Sequence, residues 1–193
     1  MALLTPSVLR PLTVGRRWLG LLAWLLAGAV AAHGQTPLKE YQVKAAFLFN
    51  FAQFVDWPDA AFPQSNSPLV IGVLGDDPFG AVLDEIVRDE LVHGRPLRIQ
   101  RYRRVEEVAE CHVLFISRSE AGRLEQIVRH LRGRSILTVG DIENFVLRGG
   151  MIRFINEKNK IRMRINRDLA ADAGLTISSK LLRAAEIISP GKD

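Results

Sequence analysis

The sequence holds one cysteine, Cys111, so no intrachain disulfide can form and a disulfide-stapled small fold is excluded. Fifteen glycines and nine prolines in 193 residues are too few for a collagen-like or Gly/Pro-biased chain. Residues 1–34 lack acidic side chains altogether, and the rest of the chain lacks a dominant charge. What is present, 48% apolar and 24% charged residues, suits one globular domain with a full hydrophobic core and excludes a disordered chain.

Arg10, Arg16 and Arg17 precede an unbroken apolar run from Trp18 to Ala32, which small residues close. That is the layout of a cleaved export signal, and the run is short of the roughly 20 apolar residues of a membrane span. Cleavage after Ala31, Ala32 or Gly34 meets the small-residue requirement equally well, and the Arg16-Arg17 pair leaves a twin-arginine route open beside the general one. The expected division is therefore a signal over 1–34 and a single domain over 35–193, located in the periplasm. Removing the three leader arginines from 26 basic residues leaves 23 against 21 acidic ones, so the basic pI of the whole chain is no argument for nucleic acid.

From Leu38 to Trp57 no breaker occurs before Pro58, and the spacing predicts a helix ending at that X-Pro step. Tyr41, Ala45, Phe47, Leu48, Phe51, Ala52, Phe54 and Val55 form its apolar arc, while Phe49 and Trp57 fall among polar positions. Two readings follow for this pair: aromatics covered by a further layer, or an exposed grip for a partner. Three strand-then-helix units come next. The apolar run PLVIGVLG precedes Asp77-Pro78, read as a cap and first helical turn; CHVLFIS precedes Ser117 and Glu120 at capping-box spacing; LTVG precedes Asp141 and a short helix from Ile142. MIRFI and IRMRIN then form a hairpin with Ile161, Met163 and Ile165 inward and Arg162 and Arg164 outward. The expected fold is α/β: a Rossmann-like three-layer domain with a largely parallel sheet plus a C-terminal antiparallel hairpin.

No residue constellation for catalysis emerges. Gly72 to Gly80 resembles a phosphate loop only in position, since it lacks the lysine and hydroxyl and places Asp76 and Asp77 where phosphate would sit. Cys111 and His112 are neighbours on a strand and point to opposite faces, so they make no dyad or metal pair, and His93 and His130 have no ligand-spaced companion. Neither a metal nor a cofactor is expected. Two candidate sites remain. One is a crevice at the strand C-terminal ends, formed by Gly75, Asp76, Asp77, Phe79 and Ser117, which would make the protein a small-ligand sensor. The other is a partner surface of Phe49 and Trp57 with the basic hairpin residues Arg153, Arg162 and Arg164, charges that equally serve a solvated sheet face.

The segments EYQVKAAFLFNFAQFVDWP, IGVLGDDPFG, GRPL, CHVLFISRSE, LTVGD, GGMIRF and AGLTISSKLL span positions 40–182. Together they resemble the signature blocks of the YfiR/HmsC-like family of exported proteins. The resemblance implies a periplasmic, non-catalytic regulator, a homodimer, that binds and represses an inner-membrane diguanylate cyclase and so limits cyclic di-GMP and biofilm formation. It also implies a peptidoglycan-associated lipoprotein as antagonist. Relatives with several cysteines allow redox control, for which this chain offers only Cys111.

Overall fold

The computed structural model describes residues 37–189, so the expected export signal lies outside the described residues. Helix α1 runs Pro37–Phe54, and it stops before the X-Pro step rather than at it. Val55–Asp56 form strand β1, paired antiparallel with β9 (Thr176–Ile177). Val55 is fully buried, and the Ser178 amide caps the Phe54 carbonyl at 2.9 Å, so tertiary pairing takes over the backbone groups that another helical turn would have used.

The main sheet has eight strands in the order β10, β8, β7, β6, β5, β2, β4, β3. They are β2 (Leu69–Leu74), β3 (Leu91–Val92), β4 (Arg95–Tyr102), β5 (Val113–Ile116), β6 (Leu137–Gly140), β7 (Ile152–Glu157), β8 (Lys160–Ile165) and β10 (Glu186–Ile187). The sheet is mixed: β4, β2, β5, β6 and β7 pair in parallel, β10 runs parallel to β8, and β3 and β8 are antiparallel to their neighbours β4 and β7. With the separate β1–β9 pair, the observed class is a mixed α/β domain carrying the expected C-terminal hairpin.

Alternation along the strands builds two cores. Val113 and Phe115 of β5 join the main core, with α1 and helix α2 (Ala81–Val87), whereas Leu114 and Ile116 join a second one with helix α3 (Leu124–Leu131). Helix α4 (Arg167–Asp172) and helix α5 (Ser179–Arg183) complete the domain, each with the side chain of its preceding residue, Asn166 or Ser178, accepting an amide of its first turn.

Three local expectations need correction. Asp77 does not cap a helix starting at Pro78, because α2 begins at Ala81 and the Asp77 carboxylate instead accepts the Phe79 amide in a tight turn at 2.8 Å. Ser117 and Glu120 make no capping box: Glu120 is buried and pairs with Arg123 at 2.6 Å, and Arg118–Arg123 form a 3₁₀ segment leading into α3. After Asp141 there is no helix but a run of turns, in which Asn144 takes φ +55° and breaks the helical path. The fully buried Phe145 ring in this turn lies against Gly140 and Gly150, where an added Cβ would stand 2.6 and 2.1 Å from it.

Candidate functional site

The crevice residues do come together at the C-terminal ends of β2 and β5, but the two loops there are tied to each other. The Asp76 amide donates to Ser119 Oγ at 3.0 Å, and Ser117 N donates to the Leu74 carbonyl at 3.0 Å. At Gly75, φ +88°, an added Cβ would lie 2.3 Å from Ser119 Oγ, so glycine is what lets the loops meet. Asp77 is held by Arg101 Nε at 2.7 Å, and the same guanidinium bonds Asp84, whose carboxyl it keeps below the usual range. Phe79 is core, edge-on to Tyr41 and Phe115 at 5.5 and 4.8 Å.

Of the proposed partner residues, the structure unites the arginines. Arg153 stands opposite Arg164, and Arg162 opposite Ile155, all on the sheet face away from Ile152, Phe154 and Met163 of the main core. Arg164 pairs with Glu186 at 2.8 Å and Arg162 with Glu157 at 3.2 Å, while Arg153 Nε is buried without a hydrogen-bond partner among the described residues. Phe49 and Trp57 are elsewhere. Both rest half-buried against the main core, and Trp57 Nε1 donates to the His112 carbonyl at 3.2 Å.

His112 is itself a buried connector. Its Nδ1 accepts the Val70 amide at 3.0 Å, so Nε2 carries the proton and donates to the Ala61 carbonyl at 3.2 Å. Phe62 stacks on the ring at 4.4 Å, with Arg95 on the far face of Phe62. Burial pushes the imidazole down to about 4, against the pull of the Ala61 hydrogen bond. The neighbouring Cys111 points into the second core, where burial pushes its thiol up to about 12.

A cluster that sequence reasoning missed lies where α1 crosses the end of β6. Lys44 is 1% exposed, and its Nζ is 2.5 Å from both Asp141 Oδ2 and Glu40 Oε1. The Tyr41 hydroxyl donates to Asp141 Oδ2 at 2.9 Å, and its ring lies 4.3 Å beneath the Lys44 ammonium. Arg118 Nε stands 3.2 Å from Asp141 Oδ1, yet Oδ1 is buried with no aligned hydrogen bond among the described residues. Burial, with the Asp141 charge and hydrogen bond, raises the Tyr41 hydroxyl's pKa. Burial opposes ionisation of Glu40, but hydrogen bonds from Lys44 and Asn156 hold it below the usual carboxylate range. The signal was present in the sequence: Lys44 falls on the arc of Tyr41, Leu48 and Phe51, where a lysine needs a buried counter-charge. Asp141, which the sequence sets between a strand and an expected short helix, is that counter-charge.

What the geometry defines is a mixed α/β domain with tied strand-end loops, a basic hairpin face and an internal ion-pair cluster. The chain belongs to the YfiR/HmsC-like family, whose model matches residues 41–186. That family is generally regulatory and non-catalytic, is periplasmic, and points to regulation of cyclic di-GMP signalling. No curated protein matches the sequence, and among the described residues no helix is long and apolar enough to cross a membrane.

Proposed function

We propose that this protein is an exported, non-catalytic regulator that binds the periplasmic part of an inner-membrane diguanylate cyclase and holds it in its inactive state. Less cyclic di-GMP, and less biofilm, follow from that restraint. The observation that carries this reading is the family match over residues 41–186, nearly the whole described domain. The Arg-rich leader with its apolar run supports export. A regulator of this kind works by binding one state of its partner better than the other, which needs a surface rather than a reaction centre.

The hairpin arginines Arg153, Arg162 and Arg164 share one sheet face and supply a basic contact surface for an acidic partner. Phe49 and Trp57, half-buried on the main core, extend the contact only if their exposed edges are used. Within the mixed sheet we read the five contiguous parallel strands as a Rossmann-like core. The homodimer and the lipoprotein antagonist belong to the same reading. A ligand entering at Gly75, Asp76, Asp77, Phe79 and Ser117 would first have to part the Asp76–Ser119 bond.

The test is cyclic di-GMP in the source bacterium with the gene deleted and complemented by the full chain or by residues 35–193 alone. A rise on deletion that only the full chain reverses is the expected result. An unchanged level on deletion refutes restraint of a cyclase.

A further inference from the structure

The Lys44, Asp141 and Glu40 constellation joins parts of the chain 97 residues apart, in a position closed to water on nearly every side. An amine and a carboxyl group held together in this way are reactants as well as an ion pair. Keeping both ionised costs the hydration of two charges, offset only by their mutual attraction and hydrogen bonds. Condensation to an amide removes both charges and releases one carboxylate oxygen as water. Holding the two groups in contact supplies the effective concentration that the reaction lacks in solution.

We propose that Lys44 and Asp141 become joined by an isopeptide bond, formed within the folded chain. In the first step one proton passes from Lys44 Nζ to Asp141 Oδ2, at 2.5 Å, leaving a neutral amine beside a carboxylic acid. The Nζ lone pair then attacks Asp141 Cγ and the C–N bond forms. Glu40 Oε1, 2.5 Å from Nζ, accepts a second proton from the nitrogen and returns it to Oδ2. The Cγ–Oδ2 bond breaks, and Oδ2 leaves as water with the two protons that the ammonium gave up; the third stays on the amide nitrogen. No oxidant or other reactant is needed.

The neighbouring groups fit these roles. The Tyr41 hydroxyl, kept protonated by its surroundings, donates to Oδ2, the oxygen that leaves. Arg118 Nε lies 3.2 Å from Oδ1, the oxygen that gathers negative charge during attack and stays as the amide carbonyl. Oδ1 is also the atom that has no aligned hydrogen bond in the ion-pair state. The charge count balances throughout, with Arg118 and Glu40 compensating each other once Lys44 and Asp141 are neutral.

The experiment is intact-mass spectrometry, under denaturing conditions, of protein purified from cells expressing the full chain, beside the Lys44→Met variant. The wild-type mass is expected to fall short of its sequence mass by one water molecule while Lys44→Met matches its own; comparing the two cancels any N-terminal processing. Tryptic digestion is expected to leave the bond after Lys44 uncut and to yield a branched peptide joining the Lys44 and Asp141 segments. A wild-type mass with no water missing, and an ordinary cut after Lys44, overturns the proposal whether or not the variant folds. Asp141→Asn is expected to reach the same crosslinked mass by losing ammonia instead. Glu40→Gln is expected to give the uncrosslinked mass with a wild-type circular dichroism spectrum, and full crosslinking in that variant refutes the role of Glu40. These readouts are independent of any effect on a cyclase.

Discussion

Mild acid, above the range where the paired carboxylates Glu40 and Asp84 take up protons, should weaken this fold through His112. The ring is 2% exposed, accepts the Val70 amide through Nδ1 and donates to Ala61 through Nε2, an arrangement open only to the neutral imidazole. A second proton would remove the acceptor and bury a charge within reach of Arg95, which itself lowers the affinity for protons. The native protein therefore takes up that proton only near pH 4, whereas the unfolded chain does so near 6.5. Between these values the unfolded state binds more protons, so stability is full above about 6.5 and falls as the pH drops toward 4. The whole gap is worth about 3 kcal/mol, of which about 2 kcal/mol is lost between pH ~7 and ~5. Urea unfolding at these two pH values measures the loss. His112→Asn, which places an acceptor oxygen close to the position of Nδ1, should be less stable at neutral pH yet lose about 2 kcal/mol less on acidification. If wild type and His112→Asn share the same pH dependence, the histidine titrates normally in the native state and the reasoning is wrong.

Cys111, with its thiol raised to about 12 and its side chain inside the second core, should react with a maleimide only after denaturation; rapid labelling of the native protein would contradict its placement. Gly72→Ala should cost about 1–3 kcal/mol in chemical denaturation, because the new Cβ would lie 2.7 Å from Tyr102 and 2.8 Å from Cys111 Sγ. Trp57→Ala should be destabilising by a few kcal/mol, at roughly the scale of large-to-small changes, since the indole packs on the core and bonds the His112 carbonyl; an unchanged melting temperature would free it for a role in partner contact alone. Arg153→Ser, by contrast, should leave melting within a degree or so while weakening binding of the proposed cyclase partner's periplasmic segment in a pull-down, and unaltered binding would remove Arg153 from the proposed contact surface.

The elements legible in the sequence were those whose signal is local. The apolar runs at Leu69–Leu74, Val113–Ile116 and Leu137–Gly140 became the buried central strands, and the alternation of Ile161, Met163 and Ile165 with Arg162 and Arg164 became the hairpin's two faces. Where a residue had two possible partners, local spacing chose the wrong one. Asp77 and Ser117 look like helix caps, yet one closes a turn and the other marks a strand end. Val55 and Asp56 continue the helical pattern of α1, but the distant Thr176–Ile177 offered backbone hydrogen bonds in place of a further turn.

Sequence by itself determined that the cysteine pairs with no other cysteine in the chain and to which family its blocks belong, because composition and order along the chain suffice for each. Tertiary structure decided the sheet order, the tying of the strand-end loops and the fate of the charges. Lys44 shows why: its position on an apolar arc announces a buried cation, but the carboxylate that answers it is 97 residues away, and only the crossing of α1 over the end of β6 brings Asp141 to it.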